Sequence, residues 1–346
     1  MFLFNQQPGR TVIIEGEEYL FFSGYSYLGM SYVPGFIQVV KEGIDKYGVV
    51  FPSSRISNTR LPLYKIFEES FSSFMGMEET ISFSSGYLAG QTIATVLSAH
   101  PHLFISPEAH PAVTTKRNEI NLPVAEWKQQ LIDFTITHKP TEVAIITDSI
   151  NTAKGCINDF SFLIQIPSSV KIICLVDDSH GIGLLGDKGE GIISQLPKQQ
   201  NIEYIISCSL SKAFHLEGGA VCCSSYWANK IRQQHFYTGS TAMMPAFMHT
   251  FLNAGNLYAV QRIKLFKNIN SLSKKINGLQ YVNHYGLPIF VLHSSLTGEV
   301  FKPVKIIISS FGYPDPDYDK NNRVVLSSLH TEEDITILAG TISSIF

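Results

Sequence analysis

The sequence predicts an α/β protein in which polar residues gather at the ends of buried strands. Three stretches predict it. The apolar run Val170–Val176 opens directly into Asp177-Asp178-Ser179-His180-Gly181-Ile182-Gly183. A second run, Tyr204–Cys208, opens into Ser209-Leu210-Ser211-Lys212-Ala213-Phe214. A third, residues 80–85, ends in the small-residue turn Ser85-Gly86-Tyr87, with a helical segment, Leu88–Ala99, behind it. Acids, histidine and lysine at the C-terminal ends of strands point into the crevice where open α/β sheets bind ligands. A chain of 346 residues has room for a large domain of this kind and a smaller one.

The elements follow in order. Residues 11–22 (TVIIEGEEYLFF) read as a hairpin that turns at Glu15-Gly16-Glu17. Residues 34–47 have helical periodicity, opened by Pro34 and ended near Gly48. Residues 62–76 form an amphipathic helix with Gly76 as its stop, and its Phe and Leu stripe reads as core. Strands are expected at Leu103–Ile105 and at 142–148 (EVAIITD), the latter ending at Asp148. Gly181-Ile182-Gly183-Leu184-Leu185-Gly186 fits the dinucleotide pattern GxGxxG, but runs into Asp187-Lys188-Gly189-Glu190-Gly191, which is loop chemistry rather than a helix start. Residues 246–278 read as helical. Strands follow at Tyr281–Asn283 and Leu287–Leu292, then a helix over Lys302–Ser310, a loop over Gly312–Asn322 and a strand over Arg323–His330. The closing helix spans 331–346, with Glu332, Glu333 and Asp334 in its first turn.

Composition narrows the function. Hydrophobic content of 45%, charged content of 16% and a net charge of −3 describe a globular protein with no electrostatic footprint for nucleic acid. No apolar run approaches the length of a membrane span, and the N-terminus lacks the basic region and cleavage site of a signal peptide. Five cysteines without a CxxC pair suggest no metal site; Cys174, Cys208, Cys222 and Cys223 lie in or beside apolar strands, as reduced core residues do. A cytoplasmic protein is expected.

Lys212 is the residue of chemical interest. Burying an ammonium at a strand end is costly unless it is paired or neutralised. An amine with a lowered pKa, or one tied up as an imine, escapes that cost and serves Schiff-base chemistry. Taken alone, Lys212 reads as one more loop lysine, and Ser85-Gly86-Tyr87 as an ordinary βα turn. Together with Asp177 they match a cofactor. A carboxylate can hold a pyridinium nitrogen protonated while the lysine holds an aldehyde, the pair that pyridoxal 5′-phosphate (PLP) requires.

Asp177–Gly183, Ser209–Phe214 and Ser84-Ser85-Gly86-Tyr87, in this order, resemble fold-type I PLP enzymes. The resemblance is to the α-oxoamine synthase family, which includes 8-amino-7-oxononanoate synthase and 2-amino-3-ketobutyrate CoA ligase, and runs from about Gly9 to the end. It implies the aspartate aminotransferase-like fold. That means an arm, hairpin and helix over residues 1–45 joining a small α+β C-terminal domain (256–346), and a large domain (46–255) with a mainly parallel sheet flanked by helices. It implies Lys212 as the Schiff-base lysine, Asp177 on the ring nitrogen, His180 and Thr152 near the 3′-oxygen and His110 stacked on the ring. Ser85, Gly86, Tyr87 and Ser209 become phosphate ligands, with Ser240 or Thr241 supplied by the partner of a homodimer. Arg323 becomes the anchor for the substrate carboxylate, since its planar fork bonds both oxygens.

The implied reaction condenses an α-amino acid with an acyl-CoA or acyl-carrier thioester, with decarboxylation, to an α-amino ketone; alanine and a pimeloyl thioester are the expected pair. Tyr25 stands where the family places a substrate-contacting Asn, and an upstream basic residue used by some members has no counterpart. Pro111-Ala112 lacks the small polar residue usual after the histidine, and Lys154 replaces an acid. The same Lys, Asp and His would serve an aminotransferase of this fold, and a silent partner subunit is the third possibility, against which an intact Lys212 argues.

Overall fold

The computed structural model describes residues 2–115, 122–279, 282–313 and 317–344. Tyr281 of the expected strand, residues 314–316 of the expected loop and residues 345–346 of the expected closing helix lie outside them.

The chain opens with β1 (Thr11–Ile14) and β2 (Glu17–Phe22), then α1 (Pro34–Tyr47), α2 (Leu63–Met75), β3 (Glu79–Phe83) and α3 (Gly86–Leu97). There follow β4 (Leu103–Ile105), α4 (Val124–His138), β5 (Glu142–Asp148), a small hairpin of β6 (Ile150–Asn151) and β7 (Cys156–Ile157), β8 (Lys171–Asp177), β9 (Ile202–Ser209) and β10 (Gly219–Cys223). The remainder is α5 (Ser225–Arg232), α6 (His235–Thr238), α7 (Pro245–Asn253), α8 (Gly255–Lys275), β11 (Val282–Asn283), β12 (Ile289–Leu292), α9 (Gly298–Phe301), β13 (Ile306–Phe311), β14 (Asn321–Val325) and α10 (Glu332–Ser344).

Two compact units result. The larger comprises Ile37–Ile150 and Asn158–Gly255; the smaller comprises Met1–Phe36, Asn151–Ile157 and Asn256–Phe346. The first boundary therefore falls at Phe36 rather than at residue 45, and a seven-residue excursion in mid-chain belongs to the smaller unit.

The larger unit is built on a six-stranded sheet in the order β3-β10-β9-β8-β5-β4. β4, β5, β8 and β9 are mutually parallel, while β10 runs antiparallel to both β9 and β3. Parallel strands covered on both faces must be apolar at nearly every position. Ile172 to Val176 of β8 and Ile205, Ile206 and Cys208 of β9 are accordingly at most 1% exposed. α3 packs on this sheet through Ala89, Ile93 and Leu97. α2 ends at Gly76, whose positive φ of 65° is the left-handed cap expected there.

The smaller unit holds a second six-stranded sheet, β1-β2-β13-β14-β12-β11, antiparallel except for the β2–β13 pair. The opening hairpin turns through Glu15 and Gly16, both at positive φ, the geometry that suits the twist of a two-residue β-turn.

Three expectations fail here. Lys302–Ser310 is not a helix: a 3-10 turn over Lys302–Val304 gives way at Lys305 to strand β13. Ile306-Ile307-Ile308 is buried throughout, between β2 and β14, and a continuous apolar run of that length has no periodicity to separate strand from helix. The last strand stops at Val325. Ser328 leaves it to donate its N–H and its hydroxyl to the carbonyls of Tyr27 and Leu28, both at 2.8 Å. The expected single helix over 246–278 is α7 and α8, broken at Ala254. The Gly181–Gly186 run opens no helix; it is a turn, with Gly183 and Gly186 at φ 81° and 80°. Among the described residues no helix is long and apolar enough to cross a membrane.

Candidate active site

The sheet register of the larger unit collects the polar strand ends. Asp148, the last residue of β5, pairs with Asp177, the last of β8, and Asp177 pairs with Ser207 of β9. Two residues on, Ser209 sits opposite Gly219 of β10, which sits opposite Phe83 of β3. The C-terminal ends of β3, β5, β8 and β9 are thus brought to one edge of the sheet.

Ser85 caps α3, its Oγ accepting the N–H of Leu88 at 3.1 Å. The N–H groups of Gly86 and Tyr87 are in the first turn, where a helix has no intrahelical acceptor to offer, and Tyr87 is largely exposed. Gly86 is required by packing, since a Cβ there would lie 2.4 Å from the Cβ of Ser209. The backbone of α3 therefore rests directly on the end of β9. Ser209 completes this corner: its N–H donates to Ser179 Oγ at 2.9 Å and its hydroxyl bonds that of Ser211 at 2.8 Å.

Lys212 follows in a turn closed by Leu210 N–H to Gly218 O and Leu216 N–H to Leu210 O, both at 3.0 Å. Ala213 and Phe214 anchor it in the core, with the Phe214 ring 5.3 Å from that of Phe251. Burial lowers the Lys212 pKa, and the negative charge of Asp177 and Asp148 opposes that shift in part. The amine is thus more readily neutral than an ordinary lysine, yet lies within the field of two acids.

His110 stands at the other side of this cluster. Its Nδ1 accepts the N–H of Ala112 at 3.1 Å, and its backbone N–H donates to the Asp148 carboxylate at 3.1 and 3.2 Å. Burial lowers its pKa, against the pull of Asp177 and with the help of Lys212. The ring is held neutral. Asp148 is raised well above the usual carboxylate range by burial and by Asp177, the His110 N–H working against both. Asp177 itself is 7% exposed and accepts the N–H of Ser179 at 2.9 Å. His180 lies half-buried in the turn just beyond it.

Ser85, Gly86, Tyr87, His110, Asp177, His180, Ser209 and Lys212 thus all belong to the larger unit, at that sheet edge. Thr152, Arg323 and Tyr25 belong to the smaller one. There Arg323, 4% exposed, donates from Nη1 to the carbonyl and hydroxyl of Thr152 at 3.4 Å, while its Nε is buried with no acceptor. The Tyr25 and Phe311 rings lie 5.9 and 5.4 Å from its guanidinium. Ser240 and Thr241 sit between α6 and α7, where the Ser240 hydroxyl donates to the carbonyl of Phe236, in the manner of a helix cap.

Sequence reasoning passed over Asp148 as a site residue. Its signal was available: an acid ending a strand adjacent to the one that ends in Asp177.

An amine of lowered pKa, an acid able to hold a ring nitrogen's proton, a neutral imidazole and a helix start lined with hydroxyls are the groups that PLP needs. The residues present fit it. Among the described residues, no group of three or more His, Cys, Asp and Glu side chains is arranged to hold a metal ion.

Comparison with known proteins agrees with this chemistry. The family model "aminotransferase class I and II" matches residues 26–342, and the chain belongs to that family. The 8-amino-7-oxononanoate synthase of Buchnera aphidicola subsp. Baizongia pistaciae is 25% identical, over 97% of this chain and 91% of that protein. Among solved structures, Sphingomonas wittichii serine palmitoyltransferase superposes with a TM-score of 0.80 at 17% identity, covering 99% of this chain and 91% of that one. The 8-amino-7-oxononanoate synthase of Francisella tularensis gives 0.70 at 23% identity, covering 94% and 98%. The likeness shows the aspartate aminotransferase-like α/β fold.

Proposed function

We propose that this member of the class I and II family is a PLP-dependent acyltransferase of the 8-amino-7-oxononanoate synthase type. It joins an α-amino acid to the acyl group of a thioester, releasing the thiol and CO₂ and leaving an α-amino ketone. The observation that carries the reading is Lys212, a half-buried lysine of lowered pKa just beyond a strand end, in the field of Asp177 and Asp148. The near full-length similarity to curated synthases supports the acyl-transfer step.

PLP, when bound, supplies an electron sink for the negative charge left on the substrate's α-carbon. The chain's own residues do the rest. Asp177 holds a proton on the pyridine nitrogen. Neutral His110 would cover one face of the ring without adding a charge beside it. His180 and Thr152 serve the 3′-oxygen. Gly86 and Tyr87 N–H groups and the hydroxyls of Ser85 and Ser209 hold the phosphate at the positive end of α3. Ser240 or Thr241 reaches the phosphate of a partner copy, which makes the working unit a homodimer. Arg323 takes the amino-acid carboxylate in a bidentate grip, with Tyr25 beside it. Lys212 would hold the cofactor's aldehyde and would be the base for the substrate's α-proton, a role its lowered pKa suits near neutral pH.

The test is spectroscopic first. Wild type with PLP should show a visible absorption band that borohydride abolishes and that Lys212→Ala lacks. With alanine and pimeloyl-CoA, the wild type should release free thiol and CO₂. Bleaching by amino acid alone, with recovery on a 2-oxo acid, would make the protein an aminotransferase. No uptake of PLP at all would overturn the reading.

A further inference from the structure

The glycine-rich run after β8 opens no helix, yet its glycines are not idle. They enclose one side chain, that of Asp178. A Cβ at Gly181 would come 2.0 Å from Asp178 Oδ1, and one at Gly191 would come 2.0 Å from Oδ2. Oδ2 accepts the N–H of Ile192 at 2.9 Å, at the far end of the same loop. The Asp178 backbone ties the near end: its N–H donates to Ser207 O of β9 at 2.7 Å, and its carbonyl accepts from Gly181 and Ile182 at 3.0 and 2.9 Å. Midway, Gly183 lies against the Lys212 turn, where a Cβ would meet that of Ala213 at 2.6 Å. Asp178 is fully buried. One carboxyl thus sets the path of residues 178–192, between the proposed ring-nitrogen acid Asp177, His180 and the turn that carries Lys212.

We propose that Asp178 is a positioning residue, the anchor that holds Asp177, His180 and the Lys212 turn in register for the cofactor. The proposal rests on the PLP reading above, but the anchoring itself is a property of the unloaded chain. Burial pushes the Asp178 carboxyl up to about 7, with Asp177 adding to the shift and Ser149 and the Ile192 N–H opposing it. Oδ1 and the Ser149 hydroxyl are both buried and face each other just outside strict hydrogen-bond geometry. The other titratable groups facing Asp178 are the thiols of Cys208 and Cys222, which burial keeps protonated. An acid whose folded pKa is raised contributes stability at low pH, and that contribution is lost as pH rises through about 7.

The experiment compares wild type, Asp178→Asn and Asp178→Ala without and with PLP. Without PLP, wild type should lose at least about 3 °C of Tm between pH 5.5 and 8.5 relative to Asp178→Asn, whose amide does not titrate. With PLP, Asp178→Asn should keep the wild-type dissociation constant within about threefold, and Asp178→Ala should weaken it about tenfold or more and shift the pH midpoint of the visible band. A parallel Tm slope in wild type and Asp178→Asn, or an Asp178→Ala variant with wild-type PLP affinity and band, overturns the proposal. Should Asp178→Ala fail to fold, Gly181→Ala replaces it. Its new methyl must displace the carboxyl, so it should weaken PLP about tenfold in wild type. Wild-type affinity in Gly181→Ala would overturn the anchor equally. If wild type takes up no PLP, the cofactor reading fails by itself, and the unloaded Tm slopes still decide whether Asp178 is the anchor.

Discussion

Among the described residues two arginines are buried, one in each unit, and their polar partners differ sharply. Arg55, 8% exposed, bonds Glu68 at 2.6 Å and the carbonyl and hydroxyl of Ser82 at 3.1 Å, and lies 4.9 Å from the Tyr64 and Tyr237 rings. Among the described residues Arg323, 4% exposed, hydrogen-bonds Thr152 alone, at 3.4 Å, beside the Tyr25 and Phe311 rings, and no carboxylate pairs with it. A buried cation needs compensation. Arg55 receives it from the fold; Arg323 leaves an Nε without an acceptor. The first is an element of structure, the second a candidate ligand-binding group.

The widest separation should come from stability. Arg55→Met leaves the half-buried Glu68 carboxylate with Ser82 but without its cation, and should cost about 3 kcal/mol in urea unfolding, with most of it recovered by the double variant Arg55→Met/Glu68→Leu. Arg323→Met should cost nothing measurable, or stabilise the chain. Equal losses in the two single variants would erase the distinction. The next largest effect is the converse one. In the synthase assay Arg323→Met should lose about 100-fold in kcat/KM for the amino acid, as expected when a desolvated charge pair loses one member. Its raised Tm in the presence of amino acid should vanish as well, while Arg55 variants that fold keep theirs. The smallest effect belongs to Tyr25→Leu. Removing a ring 5.9 Å from the guanidinium should raise KM by about two- to fivefold, the scale of one cation–π contact, and leave Tm unchanged.

Much of the larger unit was legible in the chain. Its strands are apolar at nearly every position because both faces are covered, and each ends abruptly in polar residues, so Asp177, Lys212 and Ser85-Gly86-Tyr87 stand out. The smaller unit was harder. Ile306-Ile307-Ile308 carries no period that distinguishes a central strand from a helix, and what makes it a strand is its position between β2, nearly 300 residues earlier, and β14. The seven residues from Asn151 to Ile157 give no local sign of leaving the larger unit.

By itself the sequence determined the local chemistry: where strands end, where helices start and stop at Pro34 and Gly76, and which residues have the functional groups that PLP chemistry uses. Only the tertiary structure decided the pairings. It set Asp148 beside Asp177, wrapped a dinucleotide-like glycine run around Asp178, gave Arg55 its carboxylate and, among the described residues, left Arg323 without one. The physical reason is that strand ends and caps depend on neighbours along the chain. Burial, charge compensation and pKa depend on neighbours in space, which come from segments that the sequence keeps far apart.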